Sequence, residues 1–186
     1  MKKANGFTLV ELVVVIAIIG VLAAILVPSM LNYVRKSRLK TANGNAKTAY
    51  NAVAEFITMQ DAEKGQSLSD TLDDYGDNII DCRNPPILPQ NANQKAVFEM
   101  LAQNGISSGL VWVAGATIND IDSFYVQWSG SYDPETEDNP VFGQYPDPIS
   151  WENYKDKKVI WRVYNDANGA TAAQAVPLGG TGNNGN

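Results

Sequence analysis

Residues 6–31 read GFTLVELVVVIAIIGVLAAILVPSML, and this run holds one ionisable side chain, the carboxylate of Glu11, five positions after Gly6. An ionised carboxylate surrounded by hydrocarbon costs a few kcal/mol unless it is paired or lies near an interface. The spacing therefore implies that something compensates the charge at residue 11. Other chemistry is scarce. The chain has no histidine and one cysteine, Cys82, and it lacks a glycine-rich phosphate loop, which removes most metal, nucleophile and phosphate constellations. The acidic runs DDYGD (Asp73–Asp77) and DPETED (Asp133–Asp138) carry the oxygen donors that calcium takes. Neither has the spacing of a known calcium loop, so solvated acidic turns are expected. We assign no catalytic residue, no metal ligand and no cofactor. Cys82 cannot close a disulfide within the chain and is expected as a small buried hydrophobe.

The elements that must position Glu11 are legible from length and charge. With 186 residues, 45% of them hydrophobic, the chain suits one folded unit with a modest core. From Leu12 to Leu31 no residue is charged, and a helix of that length spans roughly the 30 Å hydrocarbon layer of a bilayer. A secretory signal peptide has a shorter apolar region, about 7–15 residues, followed by a small-residue cleavage site. No such site follows this run. A plain single-pass anchor accounts for the length and for Lys2 and Lys3 but leaves Glu11 unexplained. Charge is distributed unevenly: residues 7–60 carry five bases against two acids, and residues 61–186 carry seven bases against eighteen acids. The basic cluster suits anionic headgroups or acidic neighbours, and the acidic remainder argues against nucleic acid as a partner.

Beyond the apolar run the helical period continues. Leu39, Ala42, Ala46, Ala49, Val53 and Phe56 or Ile57 recur at three- and four-residue spacing and make one stripe of mostly small residues, with Arg38, Lys40, Asn43, Lys47 and Asn51 largely off it. Lys64 and Gly65 supply a stop. Short helices are expected from Ser67 to Gly76 and from Asn93 to Asn104, the latter ended by Gly105. Strands are expected over Gly109–Ile118, Ser123–Ser131 and Lys157–Asn165, the last two alternating so that one face packs and the other meets solvent or a neighbour. The run from Asp133 to Ile149 holds four prolines and is expected as a long loop. The Gly- and Asn-rich end from Gly179 is expected to be loose.

The stretch KKANG-FTLVEL, joined to an apolar run containing Gly20 and Pro28, resembles the class III signal of type IV pilins and of the related pseudopilins of type II secretion. The resemblance covers roughly residues 1–55. It implies cleavage by a prepilin peptidase between Gly6 and Phe7, methylation of the new amino group of Phe7, and pairing of Glu11 with the cationic N-terminus of the adjacent subunit in a filament. Removing one member of such a buried pair would strand the other at a cost of about 3–5 kcal/mol. Pro28 and Gly20 each disfavour a helix interior, by about 3 and about 1 kcal/mol, and membrane helices tolerate both as a mild kink. The resemblance implies more, a local melting between these two positions in the fibre.

The fold expected is α+β: a long N-terminal helix, about residues 7–64, with a head of short helices and an antiparallel sheet packed on its C-terminal half. Its parts would be a leader (1–6), a transmembrane or filament-core helix (7–34), a head (35–178) and a tail (179–186). Many Gram-negative pilins close their C-terminal region with a disulfide; Cys82 has no partner, and in this the chain resembles pilins of Gram-positive anaerobes. The implied function is structural, as a subunit and main component of a type IV pilus, held as a precursor in the cell (inner) membrane and then displayed at the surface for adhesion, movement or secretion. Implied partners are copies of itself, the prepilin peptidase, the assembly platform with its ATPase, and lipid. Two alternatives stay open: a minor pilin or pseudopilin, and a membrane-anchored surface enzyme or ligand-binding protein that borrows such an export signal.

Overall fold

The computed structural model describes residues 7–64, 79–88, 90–115, 124–137 and 140–163. Its elements are α1 (Leu9–Lys64), β1 (Ile79–Asp81), α2 (Ala92–Gln103), β2 (Leu110–Gly115), β3 (Phe124–Ser129), β4 (Phe142–Tyr145) and α3 (Trp151–Lys155). The four strands form one antiparallel sheet in the order β1-β2-β3-β4. This is an α+β arrangement, as expected. The chain divides into two units, Met1–Ser37 and Arg38–Asn186.

In the first unit α1 is exposed from Leu9 to Ser37 except at half-buried Val34. Its most apolar window has a mean hydropathy of 3.1 and none of it is buried, so the helix is long and apolar enough to cross a membrane. Hydrophobic all round, this part of α1 has no solvent-facing side to spare.

In the second unit α1 is amphipathic. The expected stripe is buried at every position, with both Phe56 and Ile57 and also Ala52 included. Alanine at 42, 46 and 49 keeps the helix surface low, and β4 lies directly on it. A Cβ built at Gly143 would stand 2.1–2.2 Å from backbone atoms of Ala42 and Asn43, so only glycine fits there. Asn43, expected off the stripe, clamps the same contact: its Oδ1 accepts from the N–H groups of Gln144 and Ile149, both at 3.1 Å, and its Nδ2 donates to the Ile149 carbonyl at 2.9 Å. Tyr50 stacks on Phe124 with ring centroids 4.2 Å apart.

The sheet is covered on both faces. Val111, Val113, Phe124 and Val126 join α1 and α2 in one core, around Val53, Val97 and Leu101. Leu110, Trp112 and Tyr125 alternate to the other side and meet Phe142, Tyr154 and Trp161. The expectation that one face of Ser123–Ser131 meets solvent or a neighbour is thereby corrected, since Tyr125, Gln127 and Ser129 of β3 are buried within the chain.

A second correction concerns residues 157–163, expected as the start of a strand. They form turns, with positive φ at Lys157 and Arg162, conformations that interrupt any pleat. Their backbone bonds are taken by a side chain of β3: Gln127 Oε1 accepts from the Arg162 N–H at 2.7 Å, and its Nε2 donates to the Val163 carbonyl at 2.8 Å. The fourth strand is Phe142–Tyr145, inside the proline-rich run expected as loop. Neither β1 nor α3 is expected from the sequence pattern. The helix expected from Ser67 to Gly76 and the tail from Gly179 lie outside the described residues. α2 matches its expectation to within a residue at each end; it opens with a capping box in which Asn91 Oδ1 accepts from the Gln94 N–H at 2.8 Å and Gln94 Oε1 accepts from the Asn91 N–H at 2.9 Å. It closes at Gly105, φ +87°.

After β1 the chain is pinned by one carboxylate. Asp81 is fully buried and accepts from Arg83 Nη2 at 2.6 Å and from the N–H groups of Arg83, Ile87 and Leu88 at 2.9–3.0 Å. Burial alone would push its carboxyl up; the Arg83 guanidinium and the three N–H donors reverse this and hold it at about 2. Neighbouring Cys82 is buried, and burial with the Asp81 charge pushes its thiol up to about 12, so it stays protonated.

Two predictions follow from this packing. Gly143→Ala should cost about 1–3 kcal/mol through overpacking, whereas Gly44→Ala, at an open helical position, should gain up to about 1 kcal/mol. Thermal unfolding of the detergent-solubilised full chain reads both. Because the folded Asp81 carboxyl lies below its unfolded value, its stabilisation is complete above about pH 4 and is lost as pH falls toward about 2. The thermal midpoint should drop across that window, and Asp81→Asn should flatten the drop while lowering the midpoint at pH 7.

Candidate assembly site

The start of α1 gathers the residues singled out by sequence. Phe7 is exposed, and Gly6 lies outside the described residues. Thr8 is the N-cap. Its Oγ1 accepts from the Glu11 N–H at 3.3 Å, while Glu11 Oε2 accepts from the Thr8 N–H at 2.9 Å and from Thr8 Oγ1 at 2.7 Å. This is a capping box, which satisfies donors that the first helical turn leaves open and places a negative charge where the helix dipole favours it. The cap is not among the expectations from sequence, although T-L-V-E at 8–11 carries its pattern.

The box uses Oε2 alone. Glu11 Oε1 makes no hydrogen bond among the described residues, and no cation described within the chain approaches the carboxylate. The structure therefore brings Thr8 to Glu11, and among the described residues the second carboxylate oxygen has no donor.

Gly20 and Pro28 sit within unbroken helix. Pro28 removes one backbone donor; the next residue, Ser29, turns its Oγ back to the Ile25 carbonyl at 3.5 Å. A Cβ at Gly20 would meet nothing within 4 Å.

The acidic turns do not converge. Asp133 Oδ2 accepts from Thr136 Oγ1, and Glu135 Oε1 accepts from Arg162 Nη1 at 3.0 Å. Asp138 and Asp73–Asp77 lie outside the described residues, and among the described residues no group of three metal-ligating side chains occurs. An open cleft of about 360 Å³ is lined by Pro134, Glu137, Tyr154 and Lys157. Trp161, also on its wall, is buried edge-to-face against Phe142, and nothing there pairs a nucleophile with a base.

Comparison with known proteins places the same segment in a known motif. Residues 1–27 match the prokaryotic N-terminal methylation motif. A fimbrial protein of Pseudomonas aeruginosa is 33% identical over 123 residues, 63% of this chain and 79% of that relative. The chain belongs to the type IV pilin family. Among other pilins, the type IV major pilin protein PilA of Myxococcus xanthus is 43% identical over 59 residues, 32% of this chain and 27% of that protein. The type IV wide pilus major component PilA4 of Thermus thermophilus is 47% identical over 60 residues, 32% of this chain and 42% of that protein. The matches thus span less than half the length of each of these two pilins. No solved structure matches it.

Proposed function

We propose that this pilin is a structural subunit of a type IV pilus, with no catalytic role. The precursor is held by α1 in the cell membrane, cleaved by a prepilin peptidase between Gly6 and Phe7, and methylated on the new amino group of Phe7. An assembly platform and its ATPase then move it from lipid into a helical filament, with residues 7–34 in the core and the head, 35–178, outside. Residues 1–6 act as the leader.

The observation that carries this reading is the Glu11 oxygen that has no donor among the described residues. In the filament the Phe7 amine of the next subunit donates to Oε1 while the Thr8 cap keeps Oε2, so one carboxylate starts its own helix and fixes its neighbour's register. From Phe7 to Leu31, 17 large apolar side chains are exposed. Covering each is worth about 1.5–3 kcal/mol relative to water, but lipid covers them as well as protein does. Assembly therefore depends on close packing, on the ion pair and on work supplied by the machinery. In the fibre, the weak positions Gly20 and Pro28 bound a segment that melts.

Mass analysis of fibres sheared from cells should find a mature chain beginning at N-methylated Phe7; abundant fibre protein that retains Met1 would overturn the processing. Glu11→Gln separates the two roles of the carboxylate, because glutamine also serves at the third position of a capping box. The variant should be processed and remain in the membrane yet yield at least tenfold fewer fibres, as expected when a buried charge loses its partner. A wild-type yield would show that only the cap matters.

A further inference from the structure

The buried stripe of α1 accounts for one side of the helix in the second unit. The opposite side runs Lys40, Gly44, Lys47, Asn51, Glu55 and Met59, at spacings of three and four residues, and every one of these is exposed. Residues at this spacing form one stripe along a single face of the helix. Its ends carry opposite charge: Lys40 and Glu55 make no ion pair among the described residues, while Lys47 leans 5.7 Å from the centroid of the Tyr145 ring. Its relief is also uneven. Gly44 leaves open space where a side chain would stand, and Met59 projects with half its surface exposed.

We propose that this stripe is a contact surface for α1 of a second copy, other than the one whose Phe7 meets Glu11, lying parallel and displaced by fifteen residues. The proposal rests on the filament reading, which requires all copies to point the same way so that their apolar ends lie together. Parallel copies in register would set Lys40 on Lys40 and Glu55 on Glu55, which repels. Glu55 lies fifteen residues after Lys40, and Met59 lies fifteen after Gly44. One displacement, about 22 Å at 1.5 Å per residue, therefore joins the opposite charges and seats the long thioether over the glycine. A displacement of eight residues would pair Lys47 with Glu55 but set Met59 against Asn51 and leave Gly44 facing Ala52, which is buried within its own head. Charge and shape agree at fifteen.

The test uses the full chain in an assembling host. Fibres carrying Lys40→Cys together with Glu55→Cys should give a ladder of covalent multimers on mild oxidation, and either substitution alone should give none; the native Cys82 is buried and takes no part. Glu55→Lys should lower fibre yield by roughly tenfold at unchanged precursor level, and adding Lys40→Glu should restore most of it, the signature of a direct charge pair. Double-cysteine fibres that show no ladder, or wild-type yield from Glu55→Lys, overturn the seam. If Lys40→Glu instead weakens only the binding of the precursor to phosphatidylglycerol vesicles, the stripe serves lipid and the seam is likewise refuted. Absence of any fibre from the unsubstituted chain would overturn the filament reading itself, a separate result.

Discussion

An apolar helical surface carrying one carboxylate has to be covered wherever it goes. In water the 17 exposed large side chains between Phe7 and Leu31 would cost tens of kcal/mol in total, so the segment is compatible with lipid or with other helices and with little else. Hydrophobicity cannot choose between those two coverings, since a lipid tail is as apolar as leucine. Polar detail makes the choice. Glu11 is the one ionised group in the run, and under the proposed function its surroundings distinguish the bilayer, with the carboxylate near the headgroups, from the filament.

The Thr8–Glu11 box makes that choice cheap to switch. Both hydrogen bonds of the cap end on the same carboxylate oxygen, so the helix start stays intact whether the other oxygen faces water, a headgroup or an amine. A register device that had to break its own helix cap in order to engage would lose about 1 kcal/mol at each joint. The cap engages Oε2 alone among the described residues, so the proposed register contact through Oε1 would not compete with it.

Much of this is legible in the sequence, for reasons that differ by element. α1 is readable throughout because its signals are local: a charge-free run, then a period of 3.6 residues from Leu39 to Ile57. The capping box of α2 is equally local. The sheet was harder. β2 and β3 show in their alternation, but β4 sits among prolines, and what makes Phe142–Tyr145 a strand is Gly143 fitting against Ala42 and the Asn43 clamp, both about a hundred residues away in the chain. The failed strand at 157–163 is the complementary case. Val159, Trp161 and Val163 alternate as a strand should, yet Gln127 takes the backbone bonds, and a buried glutamine with a full set of partners outweighs an edge ladder. Asp81 illustrates the same limit: D-C-R is an unremarkable triplet until Ile87 and Leu88 return their N–H groups to the carboxylate.

Covering both faces of the sheet has a consequence for assembly. Pilin heads whose sheet had an open apolar face would have a second adhesive surface competing with the helix for neighbours, and edge-to-edge or face-to-face association would be hard to avoid. Here Trp112, Tyr125 and Phe142 are already occupied by Tyr154 and Trp161, and Gln127 is closed over by residues 160–163. What the second unit leaves outward on α1 is polar and charged, apart from Met59. Contacts made through such a surface are individually weak and register-sensitive. In the proposed filament the greasy helix would supply area without preference, and the charges on the rest of α1 would supply preference without much area.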